Sequence, residues 1–232
     1  FTPANSHAQS CDCPKKASAV DAVKKANVTL KEGKVIEIAY ASVKEGKMAD
    51  LQQKYFANVG PIVAEYGASR LAMFQVTAKT GGEMEKPQLV GIFEWPSFEK
   101  MEAFHSDARM QSLGKIRDGA LSFFRQSFFE VKKETSIEFR SDRTYEFFSA
   151  WLNPNAGSAL NDYFKASKPM KLRHGPPVFV ASLSPAKGAP SSSKVLQPHM
   201  AGIVEWPSTQ TYYDLATDKD FVEKAEPLLK KA

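Results

Sequence analysis

The sequence is poor in the residues from which most enzyme and metal chemistry is built. Its 232 residues include only two cysteines and four histidines. The cysteines, Cys11 and Cys13, stand one residue apart near the N-terminus, so no disulfide framework can underlie the fold. In an oxidising compartment so close a pair would tend to close into a small strained ring. No second Cys pair joins them, so no metal site and no cofactor is expected. No apolar run approaches the roughly 18 residues of a membrane span, and a soluble chain is expected. Charge of one sign is not concentrated anywhere: the net charge is +5, and Lys24-Lys25, Lys132-Lys133 and Lys230-Lys231 are scattered among acids. That pattern argues against a nucleic-acid partner. Gly81-Gly82 lacks the rest of a phosphate loop, and no serine sits in a Gly-x-Ser-x-Gly elbow.

What remains is an ordinary globular composition, 43% apolar and 25% charged, with 16 phenylalanines gathered where strands are expected. The length suits two domains of about 100 residues each. Ser6-His7-Ala8 puts small residues where a signal peptidase reads, so the start of the chain is expected to be the remnant of an export signal and the protein periplasmic or secreted.

The informative feature is an internal repeat. Gly91-Ile92-Phe93-Glu94-Trp95-Pro96-Ser97 returns 111 residues later as Gly202-Ile203-Val204-Glu205-Trp206-Pro207-Ser208. Ser106-Asp107 recurs as Thr217-Asp218 at the same offset, and Tyr55-Phe56 and Gly67 recur as Tyr163-Phe164 and Gly175 at an offset of 108. Copy one reads as a strand over 34–43, a helix over 46–64 closed by Gly67, strands over 70–77 and 88–95, a helix capped by Ser97, and a strand over 120–132. This order, βαββαβ, predicts two helices on one face of a four-stranded antiparallel sheet. Copy two repeats it from Arg143, with a helix over 155–170, strands over 178–184 and 195–206, and a helical stretch over 208–231. It reaches Ala232 without a fourth strand. Either the sheet keeps an open edge or 26–30 completes it; the hazard of a bare edge favours completion. The Ser-, Pro- and Gly-rich loop over 184–198 is expected to be mobile.

Three stretches carry a resemblance: Val90 to Trp95 followed by Pro96-Ser97-Phe98-Glu99-Lys100, Ser106-Asp107 with Arg117-Asp118, and Val35 to Tyr40 through Lys44 to Met48. They resemble the dimeric α+β-barrel superfamily, which includes the antibiotic-biosynthesis monooxygenases. Within it they are similar to an uncharacterised bacterial family with an E-F-P-S strand-to-helix junction and to NIPSNAP-type domains. The resemblance implies ferredoxin-like units whose sheets pack face to face, here as a pseudo-dimer within one chain, with a further homodimer as a candidate assembly. It implies no catalytic set, because this fold hosts many chemistries. The expected organisation is a leader and linker over 1–33, repeat 1 over 34–134 and repeat 2 over 135–232.

Strand alternation locates a candidate site. Phe93 and Trp95 share one face of their strand and Ile92 and Glu94 the other; Val204 and Trp206 oppose Ile203 and Glu205. With the aromatics against the helices, Glu94 and Glu205 point between the sheets, and His199 shares their parity. These three, with Glu37 and Glu146 from the first strands, are the candidate lining of a ligand cavity walled by Phe and Met. Two carboxylates and an imidazole there could accept a proton from an activated carbon or a phenol, or hold a metal ion. Both acids could equally be solvated or ion-paired. The leading functional expectation is a small, largely apolar ligand held between the repeats. A cofactor-independent monooxygenase or isomerase is the alternative, and a protein that captures a partner on an open sheet edge the third.

Overall fold

The computed structural model describes residues 22–154, 156–188 and 192–232. Cys11, Cys13 and Ser6-His7-Ala8 lie outside the described residues.

The fold is α+β with antiparallel sheets, and its first half is organised around β2 (Val35–Val43). Ile36, Ile38 and Tyr40 point to one face of that strand, Val35 and Glu37 to the other. Strand β4 (Leu89–Trp95) pairs on one side of it and β5 (Leu121–Glu130) on the other, with β3 (Ser69–Gln75) outside β4. The order β3-β4-β2-β5 is ferredoxin-like. Helices α1 (48–65), α2 (Phe98–Ser106) and α3 (Ala108–Ala120) cover the Val35 face, where Val59, Ile62, Met101, Phe104 and Leu113 pack with Trp95 and Phe128. Ser97 starts α2 by accepting from the Lys100 N–H, and Asp107 starts α3 by accepting from that of Arg109.

The second half repeats the plan. Strands β7 (Thr144–Ala150), β8 (Val178–Pro185) and β9 (Met200–Trp206) are ordered β8-β9-β7. Their helices are α4 (Ala156–His174), α5 (Thr209–Ala216) and α6 (221–231). The repeated glycines and prolines touch one another. Gly67, at φ +74°, lies so close to Pro96 that a Cβ would sit 2.9 Å from its ring, and Gly175, at φ +101°, stands in the same relation to Pro207 at 3.3 Å. Each Gly thus closes one helix against the Trp-Pro corner that opens the next. The capping aspartates hold the same junction: Asp107 accepts from the Tyr66 hydroxyl at 3.0 Å, and Asp218 pairs with His174 at 2.7 Å. The ion pair beside each is reversed in sense, Glu65–Arg109 in the first repeat and Arg173–Asp220 in the second.

Strands β5 and β8 join the two sheets through Phe129↔Pro185 and Glu130↔Ser184. The seven strands then curl until the outermost two meet side chain to side chain, with Phe74 of β3 5.1 Å from Phe147 of β7. The enclosed space is filled: Ile36, Ile38, Ile92 and Phe129 pack with Leu183, Ala201 and Ile203 in one cluster. Two expectations change. Strand β1 (Lys25–Leu30) does not complete the second sheet; it pairs along its whole length with β6 (Thr135–Arg140), a strand that periodicity did not reveal. This ribbon adds Val28, Leu30, Ile137 and Phe139 to the inter-sheet core, so its apolar face is buried without joining either sheet. The outer edge of β7 therefore has no strand partner among the described residues. Either side of residues 189–191, the loop after β8, expected to be mobile, is tied to β5: the Gln126 N–H donates to Lys194 O, the Leu196 N–H to Gln126 O and the Ala186 N–H to Phe128 O.

The motif glycines test this packing. At Gly202 a Cβ would lie 2.7 Å from both the Ala181 carbonyl oxygen and the Phe148 ring, whereas at Gly91 its near neighbours are the Phe93 and Met73 side chains. Gly202→Ala is expected to destabilise by about 1–3 kcal/mol and Gly91→Ala by less, because side chains can move aside and a strand carbonyl cannot. Urea unfolding of the two variants measures the difference.

Candidate functional site

The inward alternation of Glu94 and Glu205 is as read: each lies beside residues of the inter-sheet core. The register nevertheless keeps the candidate residues apart. The Glu94 end of the first sheet is level with Val35 and Glu130, and Glu130 is paired with Ser184 of β8. Next along β8, Leu183 is opposite Ala201, which puts the start of β9 at that end. Glu205 is four residues further on, roughly 13 Å along the strand, at the other end of the barrel. There it accepts from the Tyr145 hydroxyl at 3.0 Å, with Arg143 at 3.8 Å. Glu94 faces Ile36 instead, and its Oε2 is buried with no hydrogen-bond partner. His199 lies outside the core; its ring Nδ1 accepts from the Leu152 N–H at 2.7 Å, and its own N–H is held by Ala150 O.

Glu37 and Glu146 do not face the inter-sheet space at all. Both lie on the helix-covered faces, because their parity is that of Val35 and Phe148, not of Ile36 and Phe147. Each accepts a hydrogen bond from the tryptophan of the repeated motif, Trp95 Nε1 to Glu37 at 2.9 Å and Trp206 Nε1 to Glu146 at 3.0 Å. The pairs are geometrically equivalent: Glu37 opposes Phe93 and Glu146 opposes Val204, so each Trp is the diagonal neighbour of its Glu.

Around each pair is a polar layer between helices and sheet. In the first repeat Glu37 is buried, and desolvation holds its carboxyl above the usual range, against the opposing pull of His105, the Trp95 hydrogen bond and Arg117. His105, in the last turn of α2, has its Nδ1 2.8 Å from Met101 O and its ring against Trp95, Phe104 and Phe128. Tyr55 of α1 has its hydroxyl raised by burial, with Arg117 acting the other way. Arg117 lies over the Phe124 ring at 4.4 Å and donates to Asp118. In the second repeat burial raises Glu146 and pushes Tyr163, the counterpart of Tyr55, up to about 12. The nearby cation there is Lys171, lowered by burial and 4.7 Å above the Tyr163 ring.

From sequence, Tyr55 and Tyr163 serve only as markers of the repeat, and His105 with Asp107 reads as a weak candidate ligand pair beside a helix cap. The available signal was an acid in the middle of an apolar strand, twice, each with a tryptophan in the partner strand.

Beside the first layer is a recess of about 330 Å³ lined by Phe128, Pro185, Ala186, Leu196, Pro198 and His199, among others. The first repeat supplies Phe128 and the second the rest. Phe128 is the direct cross-strand partner of Glu37, and the loop that closes the recess also places Ala186 and Val195 in the helix–sheet core of the first repeat.

Residues 38–126 match the family model described as a domain of unknown function (DUF1330). No curated protein matches the chain. Among solved structures, an anthrone oxidase-like protein is similar over 88% of this chain and 87% of its own, at 13% identity and a TM-score of 0.51. A protein of unknown function from Rhodopseudomonas palustris is similar over 44% of this chain and 84% of its own, at 18% identity and a TM-score of 0.37. A dimeric protein of unknown function with a ferredoxin-like fold from Bacteroides fragilis aligns over 43% of this chain and 98% of its own, at 11% identity and a TM-score of 0.31. The first of these likenesses spans both repeats and is one of fold.

The raised Glu37 carboxyl has a thermodynamic consequence. The folded chain keeps a proton that the unfolded chain releases near 4.5. This group's contribution to stability is therefore fullest at acid pH and falls as pH rises from 4.5 through the folded-state value. Glu37→Gln keeps an acceptor for Trp95 and removes that fall, so the variant is expected to gain on the wild type between acid and neutral pH. Trp95→Phe instead leaves the carboxylate without its donor and is expected to cost about 1–3 kcal/mol at neutral pH. Denaturant unfolding of the three proteins across that pH range measures both effects.

Proposed function

We propose that the chain binds a small, largely apolar molecule in the recess that the second repeat closes over the first. The observation that carries this reading is the recess itself: about 330 Å³, walled by Phe128, Pro185, Ala186, Leu196 and Pro198, with His199 among its polar lining. A volume at the lower end of the range for ligand sites suits a molecule of one or two rings. Both repeats are needed to build it, which supports a ligand held between them, although beside the sheet and not inside the barrel.

A second reading, an enzyme of the cofactor-independent monooxygenase or isomerase type, is favoured by Glu37. A buried carboxyl of raised pKa with one N–H donor is suited to take a proton from a phenol or an activated C–H, and burial strengthens it as a base. The anthrone-type compounds named for one fold relative have such a proton and are reasonable trial substrates.

Binding is tested with 1-naphthol and anthrone by native mass spectrometry and by ligand fluorescence. Leu196→Trp, which fills the recess, is expected to abolish binding while the circular dichroism spectrum stays unchanged; undiminished binding would place the ligand elsewhere. If anthrone is also turned over in the presence of oxygen, Glu37→Gln is expected to lower kcat by about 10²–10⁴-fold with binding retained. Equal turnover by wild type and variant would remove Glu37 from the reaction.

A further inference from the structure

The duplication supplies an internal reference for every surface of the second repeat. Helix α4 aligns with α1 at an offset of 108, an alignment confirmed by Tyr55-Phe56 against Tyr163-Phe164 and by the helix prolines Pro61 and Pro169. Against this reference α4 has gained cations at four positions and lost one, where Lys54 has become Asp162. Ala57, Gly60, Val63 and Glu65 of the first repeat correspond to Lys165, Lys168, Lys171 and Arg173 of the second. Over the same comparison Ala64 has become Leu172, and on the following strand, where the pairing register sets the offset at 109, Ser69 and Arg70 have become Val178 and Phe179.

These changes surround Phe164, the unchanged counterpart of Phe56, on one exposed face. Phe164, Lys168 and Leu172 follow one another at four-residue spacing along α4, with Lys165 beside them. The Phe164 ring lies 6.3 Å from that of Phe179 at the adjoining start of β8. Phe164 is 42% exposed, Phe179 52%, Val178 54% and Leu172 60%. Among the described residues no ion pair holds Lys165 or Lys168, whereas Arg173 is engaged by Asp218 and Asp220 and Lys171 is drawn over Tyr163 and Phe164. Asp162, the only acid in α4, lies two residues from Phe164, about 200° around the helix.

We propose that this face of the second repeat docks peripherally on an anionic phospholipid surface. Exposed aromatic and aliphatic side chains interleaved with unpaired lysines suit the boundary between headgroups and acyl chains, where rings enter the apolar layer and ammonium groups meet phosphate. The lysines argue against self-association through the face, since a second copy would bring like charges together. No helix of the described residues is long and apolar enough to cross a membrane, so the contact lies on the surface of the bilayer.

The test is flotation of the full chain with vesicles of phosphatidylcholine alone and of phosphatidylcholine mixed with phosphatidylglycerol. Binding is expected only to the mixed vesicles and is expected to weaken with salt. Lys165→Ala with Lys168→Ala should weaken it about thirty-fold. Phe164→Ser with Phe179→Ser should weaken it further at low salt, while Lys54→Ala, on the equivalent helix of the first repeat, should not change it. Circular dichroism checks that each variant is folded. Absence of vesicle binding would overturn the proposal, and with it the choice of lipid over an acidic protein partner. Equal binding to both vesicles, or an effect of Lys54→Ala as large as that of the α4 lysine pair, would overturn it as well.

Discussion

The structure depends on one constraint: each β-sheet has two apolar faces, and each repeat has helices enough to cover only one. Trp95, Val35 and Phe128 are met by α1, α2 and α3, but Ile36, Ile38, Ile92 and Phe129 have no local cover. They are buried only because the second repeat presents Leu183, Ala201 and Ile203 to them. Tandem duplication brings the covering surface within the same chain, which lowers the entropic cost of association that two separate chains would bear. The β1–β6 ribbon, with Val28, Leu30, Ile137 and Phe139, belongs to the same solution.

The space between the sheets is packed with side chains, and the buried carboxyls of raised pKa, Glu37 and Glu146, lie in the helix–sheet layers instead. A carboxylate set into an apolar strand is costly without donors, and each repeat provides one from the indole of its own Trp-Pro corner. The motif Glu-Trp-Pro-Ser thus does three jobs over four residues. Its Trp fills the helix-side core and holds the buried Glu of the first strand, its Pro seats the glycine that ends the preceding helix, and its Ser caps the next helix. Its own Glu faces the opposite way, paired with Tyr145 in the second repeat and without a partner at Oε2 in the first.

Where the repeats differ, the differences are coherent. The Glu65–Arg109 pair is answered by Arg173–Asp220, reversed in sense, so the contact between helix end and helix start is kept while its charges are exchanged. The basic side chains near the buried Glu are His105 and Arg117 in one layer and Lys171 in the other. Ala186 and Val195, after β8, have become part of the first repeat's core, which gives the first layer a wall built from both repeats.

The sequence by itself determined the repeat, the order of its elements, the caps at Ser97 and Asp107 and the inward face of Glu94 and Glu205, because alternation, capping and turn chemistry act over a few residues. It did not reveal β6, whose partner is a strand more than 100 residues earlier, nor that Ala186, Lys194 and Leu196 are hydrogen-bonded to β5. Parity shows which face a side chain takes, but the register between strands decides which side chains meet. That register set Glu94 and Glu205 at opposite ends of the barrel and kept Glu37 and Glu146 with Trp95 and Trp206 under the helices. The tertiary structure alone made that choice, since pairings between distant strands depend on how the two sheets bury each other, and no local pattern encodes it.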